Sequence, residues 1–263
     1  MNYEHFKLST DDQGNTWVGI DVAGSNVNTL GSPVLDELEA LLNAFDANAP
    51  KAVVFHSLKS SGFIAGANIQ EFEAIGQSND VAAAEKLIKR GYDLCERLAA
   101  VKYPTLALIK GFCMGGGMEL AMACRYRVAV DEPSTRMGLP EVMLGILPAW
   151  GGVKRLPQLI GAPAAFDLML SGKTVDAKKA KKLGLVDEAV PPRIMGNTVA
   201  GVLAAKPATR TLAFVPNLMT NGFLRGFVAS QARKQVAKRA RREHYPAPYA
   251  IIDLWQKYNG DVY

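Results

Sequence analysis

Apolar residues follow two different periods along the first part of the chain. Residues 16–22 (TWVGIDV) and 51–57 (KAVVFHS) are short runs rich in β-branched and aromatic side chains, a composition that predicts strands. Between them, Ser32-Pro33 predicts the start of a helix, with serine as the N-cap and proline at the first helical position. Apolar residues then recur at helical spacing at Val34, Leu35, Leu38, Leu41, Leu42 and Phe45.

The alternation of strand and helix continues beyond this point. Residues 81–100 predict a second helix, and Pro104 stops it. Its apolar face carries Ala84, Leu87, Ile88, Cys95 and Leu98. Residues 105–112 (TLALIKGF) predict one buried strand that leads into a run of glycines, and residues 126–131 (YRVAVD) predict another. The segment 138–152 (GLPEVMLGILPAWGG) has neither period and is interpreted as a loop.

Helical periodicity dominates the rest of the chain. From about Ala162 the pattern is mostly helical, with one short strand candidate at residues 185–190 (LVDEAV). Early alternation followed by helices predicts an α/β fold with a helical C-terminal portion. The predicted division is a core over residues 1–190 and a helical portion over residues 191–263.

Composition narrows the class of protein without identifying its function. A chain of 263 residues with 49% hydrophobic content can bury a sizeable core, so one large domain or one plus a small appendage is expected. No apolar run approaches the roughly 20 residues that span a bilayer, and the N-terminal residues lack an apolar signal core, so a cytoplasmic protein is expected. The three cysteines form no CxxC pair and the three histidines have no metal-ligand spacing, so no metal site is expected. A net charge of +5 suits an anionic small molecule as well as a nucleic acid.

The segment 110–125 (KGFCMGGGMELAMACR) combines three glycines with one isolated carboxylate, Glu119. Glycines before a helix leave backbone N–H groups able to bind an anion or a developing oxyanion, although they also serve close packing of strand against helix. A carboxylate in this apolar run suits acid–base catalysis beside those N–H donors. The structural alternative is a buried salt bridge to Arg125, Arg127 or Arg136.

Two other stretches carry related features. Glu141 is a second isolated carboxylate with apolar neighbours, and two such carboxylates can be tuned to opposite protonation states, one acid and one base. In residues 60–72 (SSGFIAGANIQEF), a strand gives way to Ala65-Gly66-Ala67, where small side chains let backbone N–H groups reach a ligand. The sequence therefore offers two candidate sources of backbone donors and two candidate carboxylates.

Common nucleotide and nucleophile motifs are incomplete in this sequence. Residues 171–174 (SGKT) resemble the end of a P-loop, but Asp167 stands where that motif requires glycine. The triple glycine lacks the last glycine of the dinucleotide motif, because Leu120 occupies that position. The sequence has no GxSxG elbow, so a nucleophilic triad is not expected.

The ordered motifs FIAGANI, KGFCMGGGMEL, GLPEVMLGILPAWGGVKRL and LMLSGKTVDAKKAKKLGLVDEAV resemble those of the crotonase (enoyl-CoA hydratase/isomerase) superfamily. The resemblance runs from about Thr16 to Val190. It implies a crotonase-type spiral of ββα turns with a helical C-terminal portion. It also implies a coenzyme A thioester as substrate, with no separate cofactor.

The resemblance implies a role for particular residues. It places an oxyanion hole at the N–H groups of Ala67 and Gly116, and it matches Glu119 and Glu141 to the two catalytic glutamates of the hydratase branch. These would add water syn to a trans-2-enoyl-CoA, giving the 3-hydroxyacyl-CoA of fatty-acid β-oxidation. Neighbouring positions implied to bind substrate are Ala65, Gly66, Gly115, Gly117, Pro148, Trp150 and, for a coenzyme A phosphate, Lys59.

The chain departs from the family pattern at three places. Asn68 replaces the usual aspartate after the oxyanion residue, Gln70 replaces a frequent lysine, and Trp150 replaces a small residue near the expected acyl chain. Residues 242–255 (REHYPAPYAIIDLW) resemble the segment after the hydratase region in multifunctional β-oxidation α-subunits. This implies either a partner domain or subunit of a β-oxidation complex or, for a free-standing protein, a trimer-based homo-oligomer. No dinucleotide motif follows before Tyr263, and both readings stay open.

Two other functions remain as alternatives. A Δ3,Δ2-enoyl-CoA isomerase would use the same oxyanion hole, although the presence of both glutamates favours hydration. The basic stretch from Arg225 to Arg242 is compatible with binding of RNA or of another anionic partner. It is better interpreted as the solvated face of an amphipathic helix, with Val228, Ala232 and Val236 on the buried side. No aromatic residues alternate with these charges in a way that suits base stacking, so nucleic-acid binding is not expected.

Overall fold

The chain folds into two β-sheets that share a main hydrophobic core, and a second, smaller core lies on one face of the larger sheet, as described by a computed structural model over residues 3–78 and 80–263. Met1 and Asn2, which belong to the predicted core 1–190, and Asn79 lie outside the described residues. The strands are β1 Phe6–Thr10, β2 Thr16–Ile20, β3 Val53–Ser57, β4 Gly62–Ile64, β5 Thr105–Ile109, β6 Phe112–Met114, β7 Tyr126–Val130, β8 Arg136–Gly138, β9 Thr174–Val175 and β10 Glu188–Val190.

Helices connect these strands and form the C-terminal part. Two short 3-10 helices cover Glu141–Leu144 and Pro192–Ile194. The α-helices are α1 Ser32–Ala47, α2 Ile69–Ser78, α3 Val81–Ala100, α4 Gly116–Ala123, α5 Gly152–Ile160, α6 Ala162–Met169, α7 Ala177–Leu183, α8 Met195–Ala205, α9 Phe214–Asn221, α10 Arg225–Ala237 and α11 Pro246–Tyr258.

The strands follow a repeated order that builds both sheets together. The larger sheet has the order β1-β2-β3-β5-β7-β10, parallel except for the β1–β2 hairpin, with Val53 opposite both Thr16 and Thr105. The smaller sheet has the order β4-β6-β8-β9, in which only β9 is antiparallel. Along the chain, each of β3, β5 and β7 is followed by a strand of the smaller sheet and then by helix. The predicted spiral of ββα turns is therefore confirmed.

The first predicted helix forms, but its N-cap is not Ser32. All six predicted apolar residues of α1 are buried, whereas the N-cap is Gly31 and Ser32 is the first helical residue. Ser32 cannot cap the helix because it is engaged elsewhere: its N–H donates to Glu71 Oε2 at 2.9 Å, and its hydroxyl donates to Glu71 Oε1. The N-cap prediction was wrong because a carboxylate from α2 takes over the capping role.

The predicted single strand over residues 105–112 is two strands in different sheets. The chain leaves the larger sheet after Ile109, turns at Gly111, and enters the smaller sheet at Phe112. Gly111 has φ +65°, and a Cβ there would lie 2.7 Å from Gly62 Cα, so only glycine allows the two chain segments to approach this closely. Apolar content alone does not reveal this turn, because both strands are buried.

Other boundaries differ from the sequence prediction in smaller ways. Helix α3 has the predicted bounds, with Leu87, Cys95 and Leu98 buried and Ala84 and Ile88 half-buried. The helical part begins at Gly152 rather than Ala162, and the segment 138–152 contains a 3-10 helix. The edge strand β1 was not predicted, because Phe6 is its one buried residue and no apolar period results.

The C-terminal helices pack on the core at two places. Helix α8 covers one face of the larger sheet, where Val199 and Leu203 join buried side chains of β3, β5 and β7. Helices α10 and α11 pack against α5 and α6, and Trp255 meets Phe166 edge-to-face at 4.9 Å between ring centroids. The predicted division at residue 190 stays a prediction, since helices beyond it contribute to both cores.

Candidate active site

Helix α4 begins within the main hydrophobic core, directly after β6. Every residue from Gly116 to Ala123 is buried, and Gly115 donates its N–H to the carbonyl oxygen of Gly138 at 3.0 Å. The N–H groups of the first helical turn have no intrahelical acceptor. Among the hydrogen bonds of the described residues, none uses the N–H of Gly116. The predicted donor at Gly116 is therefore available to a ligand.

Ala67 brings a second backbone N–H to the same place. Leu30 fixes the surrounding segment, because its N–H donates to Gly66 O at 2.9 Å and its carbonyl accepts from Asn68 N at 3.1 Å. Ala67 N lies 3.5 Å from the point that a Cβ on Gly116 would occupy. The two donors predicted for an oxyanion hole are neighbours, although they are 49 positions apart in sequence. Their assignment as an oxyanion hole stays a prediction.

Glu119 is buried against a tight turn at the start of α5. Its side chain is 2% exposed, and Oε1 accepts the N–H groups of Trp150 at 2.8 Å and Gly152 at 2.7 Å. Burial raises the pKa of Glu119 above its ordinary value, while these two N–H donors and the charge of Arg155 act in the opposite direction. The donors and Arg155 therefore offset only part of the cost of burial, and the pKa of Glu119 stays raised, at about 7.

The salt bridge considered for Glu119 does not form. Arg127 donates to the carbonyl oxygens of Leu185 and Cys124, and Arg125 donates to that of Val101. Among the ion pairs of the described residues, none joins Glu119 to Arg125, Arg127 or Arg136. Glu119 is thus held by backbone donors, which leaves its second oxygen free of a structural ion pair.

Glu141 is buried at the start of the 3-10 helix, and among the described residues no other residue donates a backbone N–H to its carboxyl. It is 9% exposed, and its buried Oε2 has no hydrogen-bond partner among the described residues. Oε1 lies 3.1 Å from the point that a Cβ on Gly115 would occupy. Burial and, next, the charge of Glu119 raise the pKa of Glu141. These surroundings favour the protonated acid.

The two carboxyl groups are both buried, with raised pKa values, but they differ in the hydrogen bonds that they accept beside two neighbouring N–H donors. Glu119 accepts two backbone hydrogen bonds, whereas Glu141 has an unsatisfied buried oxygen. A pair whose environments separate the two protonation states can act as base and acid in one reaction. The adjacent N–H groups of Ala67 and Gly116 can stabilise negative charge that develops on a carbonyl oxygen.

Trp150 fills the space behind the N-terminus of α4. Trp150 is 3% exposed, and Cζ3 of its indole ring lies 2.6 Å from the point that a Cβ on Gly116 would occupy. The other edge of the indole packs against Gly91 of α3 in the same manner. Pro148, two residues earlier, is also buried. Trp150 thus forms an inner wall of the site, and contact of Trp150 and Pro148 with substrate stays a prediction.

The remaining predicted residues occupy varied positions. Ala65 is exposed and Gly66 is buried, while Gly117 packs so closely on β4 that a Cβ would lie 2.6 Å from Ile64 Cβ. Lys59 is engaged within the protein, because its Nζ contacts Asp21 Oδ1 at 2.8 Å and Ser25 O at 2.6 Å. A phosphate contact at Lys59 stays a prediction, and it would require this ion pair to be shared.

Sequence reasoning missed the residues that hold Glu119. Gly152 supplies one of its two hydrogen bonds, and Arg155 lies on the opposite side of the same turn. The available signal was the stretch PAWGGVKR, in which two glycines precede a basic residue at the start of a helix. Nothing in that stretch alone shows that its N–H groups point to a residue 33 positions away.

The basic stretch that was considered as a binding surface includes residues in ion pairs within the protein. On α10, Val228, Ala232 and Val236 are buried and Lys234 is exposed, as the amphipathic interpretation predicts. Arg233 and Arg242 both pair with Asp253 of α11.

Within residues 3–78 and 80–263, no group of three or more His, Cys, Asp or Glu side chains could hold a metal ion. None of the helices in this part of the chain is long and apolar enough to cross a membrane.

Comparison with known proteins adds a family and several relatives. The family model for enoyl-CoA hydratase/isomerase matches residues 20–236. The fatty acid oxidation complex subunit alpha of Vibrio cholerae is 41% identical over 97% of this chain and 36% of its own length. The protein of the same name from Shewanella sp. MR-4 is 39% identical over 94% of this chain and 35% of its own length. The chain thus spans about a third of the length of these relatives.

Solved structures share the fold at lower identity. An enoyl-CoA hydratase from Bacillus anthracis has a TM-score of 0.70 and 24% identity over 91% of this chain and 93% of its own. An enoyl-CoA hydratase from Thermoplasma volcanium has a TM-score of 0.68 and 22% identity over 97% of this chain and 94% of its own. These likenesses support the architecture described above.

Proposed function

The chain belongs to the enoyl-CoA hydratase/isomerase family, and we propose that it is an enoyl-CoA hydratase. The substrate is a trans-2-enoyl-CoA, and the product is the 3-hydroxyacyl-CoA formed by syn addition of water. The observation that carries this proposal is the contrast between Glu119, with two backbone donors, and Glu141, with a buried Oε2 to which none of the described residues donates.

In this mechanism, the thioester carbonyl accepts the N–H groups of Ala67 and Gly116. Glu119 removes a proton from a water molecule, and the resulting hydroxide adds to C3 of the enoyl group. Negative charge moves to the thioester oxygen, where the two N–H donors stabilise it. Glu141 then donates a proton to C2, on the same face as the added hydroxyl. Glu119 is the more readily ionised of the two, because two backbone N–H groups donate to it and none of the described residues donates to Oε2 of Glu141.

The reaction requires no separate cofactor in this proposal. Coenzyme A enters and leaves as part of the substrate. The acid, the base and the oxyanion donors all come from this chain. By analogy with the relatives named above, we also propose that the protein acts as a domain or subunit within a β-oxidation complex, or as a trimer-based homo-oligomer, in the cytoplasm.

The direct test is loss of the conjugated-thioester absorbance when the protein is mixed with short- and medium-chain trans-2-enoyl-CoA. Formation of the 3-hydroxyacyl-CoA, identified by mass spectrometry, is the expected result. Failure at every chain length, together with conversion of a 3-enoyl-CoA to the 2-enoyl isomer, would overturn hydration in favour of isomerisation. A Glu119→Gln protein, purified in parallel, controls for contaminating hydratase.

A further inference from the structure

The turn that donates two N–H groups to Glu119 is itself held by Arg155. Arg155 lies in the first turn of α5, and its Nη1 donates to the carbonyl oxygen of Trp150 at 2.9 Å. The N–H of Trp150 donates to Glu119 Oε1 at 2.8 Å. The backbone of Trp150 is therefore fixed on both sides, by the guanidinium at its carbonyl and by the carboxylate at its N–H.

Arg155 is anchored at its other end by helix α3. Its Nη2 donates to Glu96 Oε1 at 2.6 Å, and the arginine side chain is 11% exposed. A planar guanidinium can satisfy two acceptors on different elements at once, which a lysine ammonium does with less geometric definition. Arg155 consequently ties the turn at 150–152 to α3.

Gly151 has the conformation that this contact requires. Its φ is +103°, and a Cβ in that position would collide with Arg155 Nη1. Absence of a side chain at Gly151 therefore leaves the space through which the guanidinium reaches the Trp150 carbonyl. The paired glycines of residues 151 and 152 serve this arrangement, since Gly152 N–H is the second donor to Glu119.

We propose that Arg155 is a positioning residue for Glu119: it holds the turn at 150–152 so that both N–H donors stay on Oε1. The inference rests on the proposed function for the role of Glu119 as the base. Its structural part concerns only the orientation and ionisation of Glu119.

Charged and titratable groups reach Glu119 from three elements. Glu141, on the 3-10 helix, opposes ionisation of Glu119, and Arg155, on α5, favours it. Cys95, on α3, is a buried thiol whose pKa is raised, so it remains neutral. Glu96, also on α3, faces Arg155 rather than Glu119. Loss of Arg155 therefore removes the positive charge and loosens the two donors together, and both changes raise the pKa of Glu119.

The test is a titration of Glu119 by carboxyl-carbon NMR, in a Glu141→Gln background so that one buried carboxyl titrates. Arg155→Gln is expected to raise the pKa of Glu119 by about one unit. Arg155→Lys keeps the positive charge but lacks the planar guanidinium with its two donor nitrogens. It is expected to raise the pKa of Glu119 by about half as much. In the native background, the acidic limb of the kcat/KM profile should move to higher pH by a similar amount, with KM changing less than kcat.

Lys154→Gln is the matched control. Lys154 is adjacent and contacts Glu96 at 3.1 Å, but its ammonium does not contact the turn, so the titration of Glu119 should not move. An unchanged titration in Arg155→Gln, or an equal shift in Lys154→Gln, would overturn the proposal. If Arg155→Gln does not fold, an unchanged titration in Arg155→Lys overturns it instead. The titration does not depend on catalysis. If the pKa of Glu119 shifts as expected but the native protein shows no hydratase activity, the result contradicts the proposed hydration and not the positioning role.

Discussion

Glu119 and Glu141 are both buried, but they differ in the hydrogen bonds that their carboxyl oxygens accept. Glu119→Gln and Glu141→Gln are each expected to lower kcat by about 10²–10⁴, because each removes one proton-transfer group. Acyl-CoA binding should change little, since the carboxyls do not supply the oxyanion donors. The double variant should lose less than the product of the single losses, because the pair acts as a unit. Steady-state kinetics and acyl-CoA binding measure both effects, and a variant that keeps most of its turnover would show that its residue is structural.

Ionisation of Glu141 should also lower the free energy of unfolding at high pH. Its ordinary pKa is 4.5, and burial raises the value in the folded state. Proton binding to Glu141 therefore stabilises the fold fully below pH 4.5, and this stabilisation is lost as the pH rises toward the folded value. Glutamine does not titrate, so Glu141→Gln should raise the Tm by about 3–6 °C at about pH 9 and hardly at all at about pH 5.

Calorimetry at the two pH values checks this expectation. The result separates function from structure, because the variant should be more stable and less active at once. A lower Tm at the higher pH would mean that Glu141 stabilises the fold, for example through a bridging water. Glu71→Gln is a useful contrast, since it removes a carboxylate that accepts the Ser32 N–H at 2.9 Å and should be destabilising.

At the scale of an element, the first residue of α4 decides whether an oxyanion donor exists. Proline is suited to the first helical position, so Gly116→Pro should still allow α4 to form while removing the N–H. Gly116→Ala adds a similar Cβ, which Trp150 must accommodate in both variants, but keeps the N–H. Relative to Gly116→Ala, Gly116→Pro should lose at least about 10²-fold in kcat.

Enoyl-CoA hydration by the two folded variants measures this difference. Because the added Cβ is common to both variants, their ratio reports the replacement of the N–H by the proline ring. Equal rates would place the oxyanion donor elsewhere in the site. Circular dichroism of both proteins establishes that α4 and the surrounding fold are retained.

At the scale of the whole molecule, residues 259–263 close over the helices that carry the site. Asp261 accepts the Tyr92 hydroxyl and contacts Lys154 Nζ at 3.4 Å, and the ring of Tyr263 lies 5.1 Å from that of Tyr92. Deleting residues 259–263 should lower the Tm by several degrees, and turnover should fall because α3 and α5 hold Glu119 through Arg155. Asp261→Asn, which removes only the charge, should cost less. Equal stability of the deleted and full-length proteins, measured by thermal unfolding, would show that this contact is dispensable.

Local patterns in the sequence determined most elements and named the chemically important residues. The periodicity over residues 32–47 and 81–100 predicted two helices and most of their buried faces, because burial of an apolar stripe is a property of neighbouring positions. Glu119 and Glu141 stood out because a carboxylate is costly in an apolar run. The family resemblance then supplied the spiral fold and the proposed roles of Ala67 and Gly116.

Tertiary structure decided what depends on residues far apart in sequence. The neighbouring positions of Ala67 and Gly116, the backbone donors on Glu119 and the unsatisfied oxygen of Glu141 all arise where separate turns of the spiral meet. The same holds for Ser32, whose capping role passes to Glu71, and for Arg155, which reaches both Glu96 and Trp150. Protonation states follow from such contacts, because burial and hydrogen bonds act through space rather than along the chain.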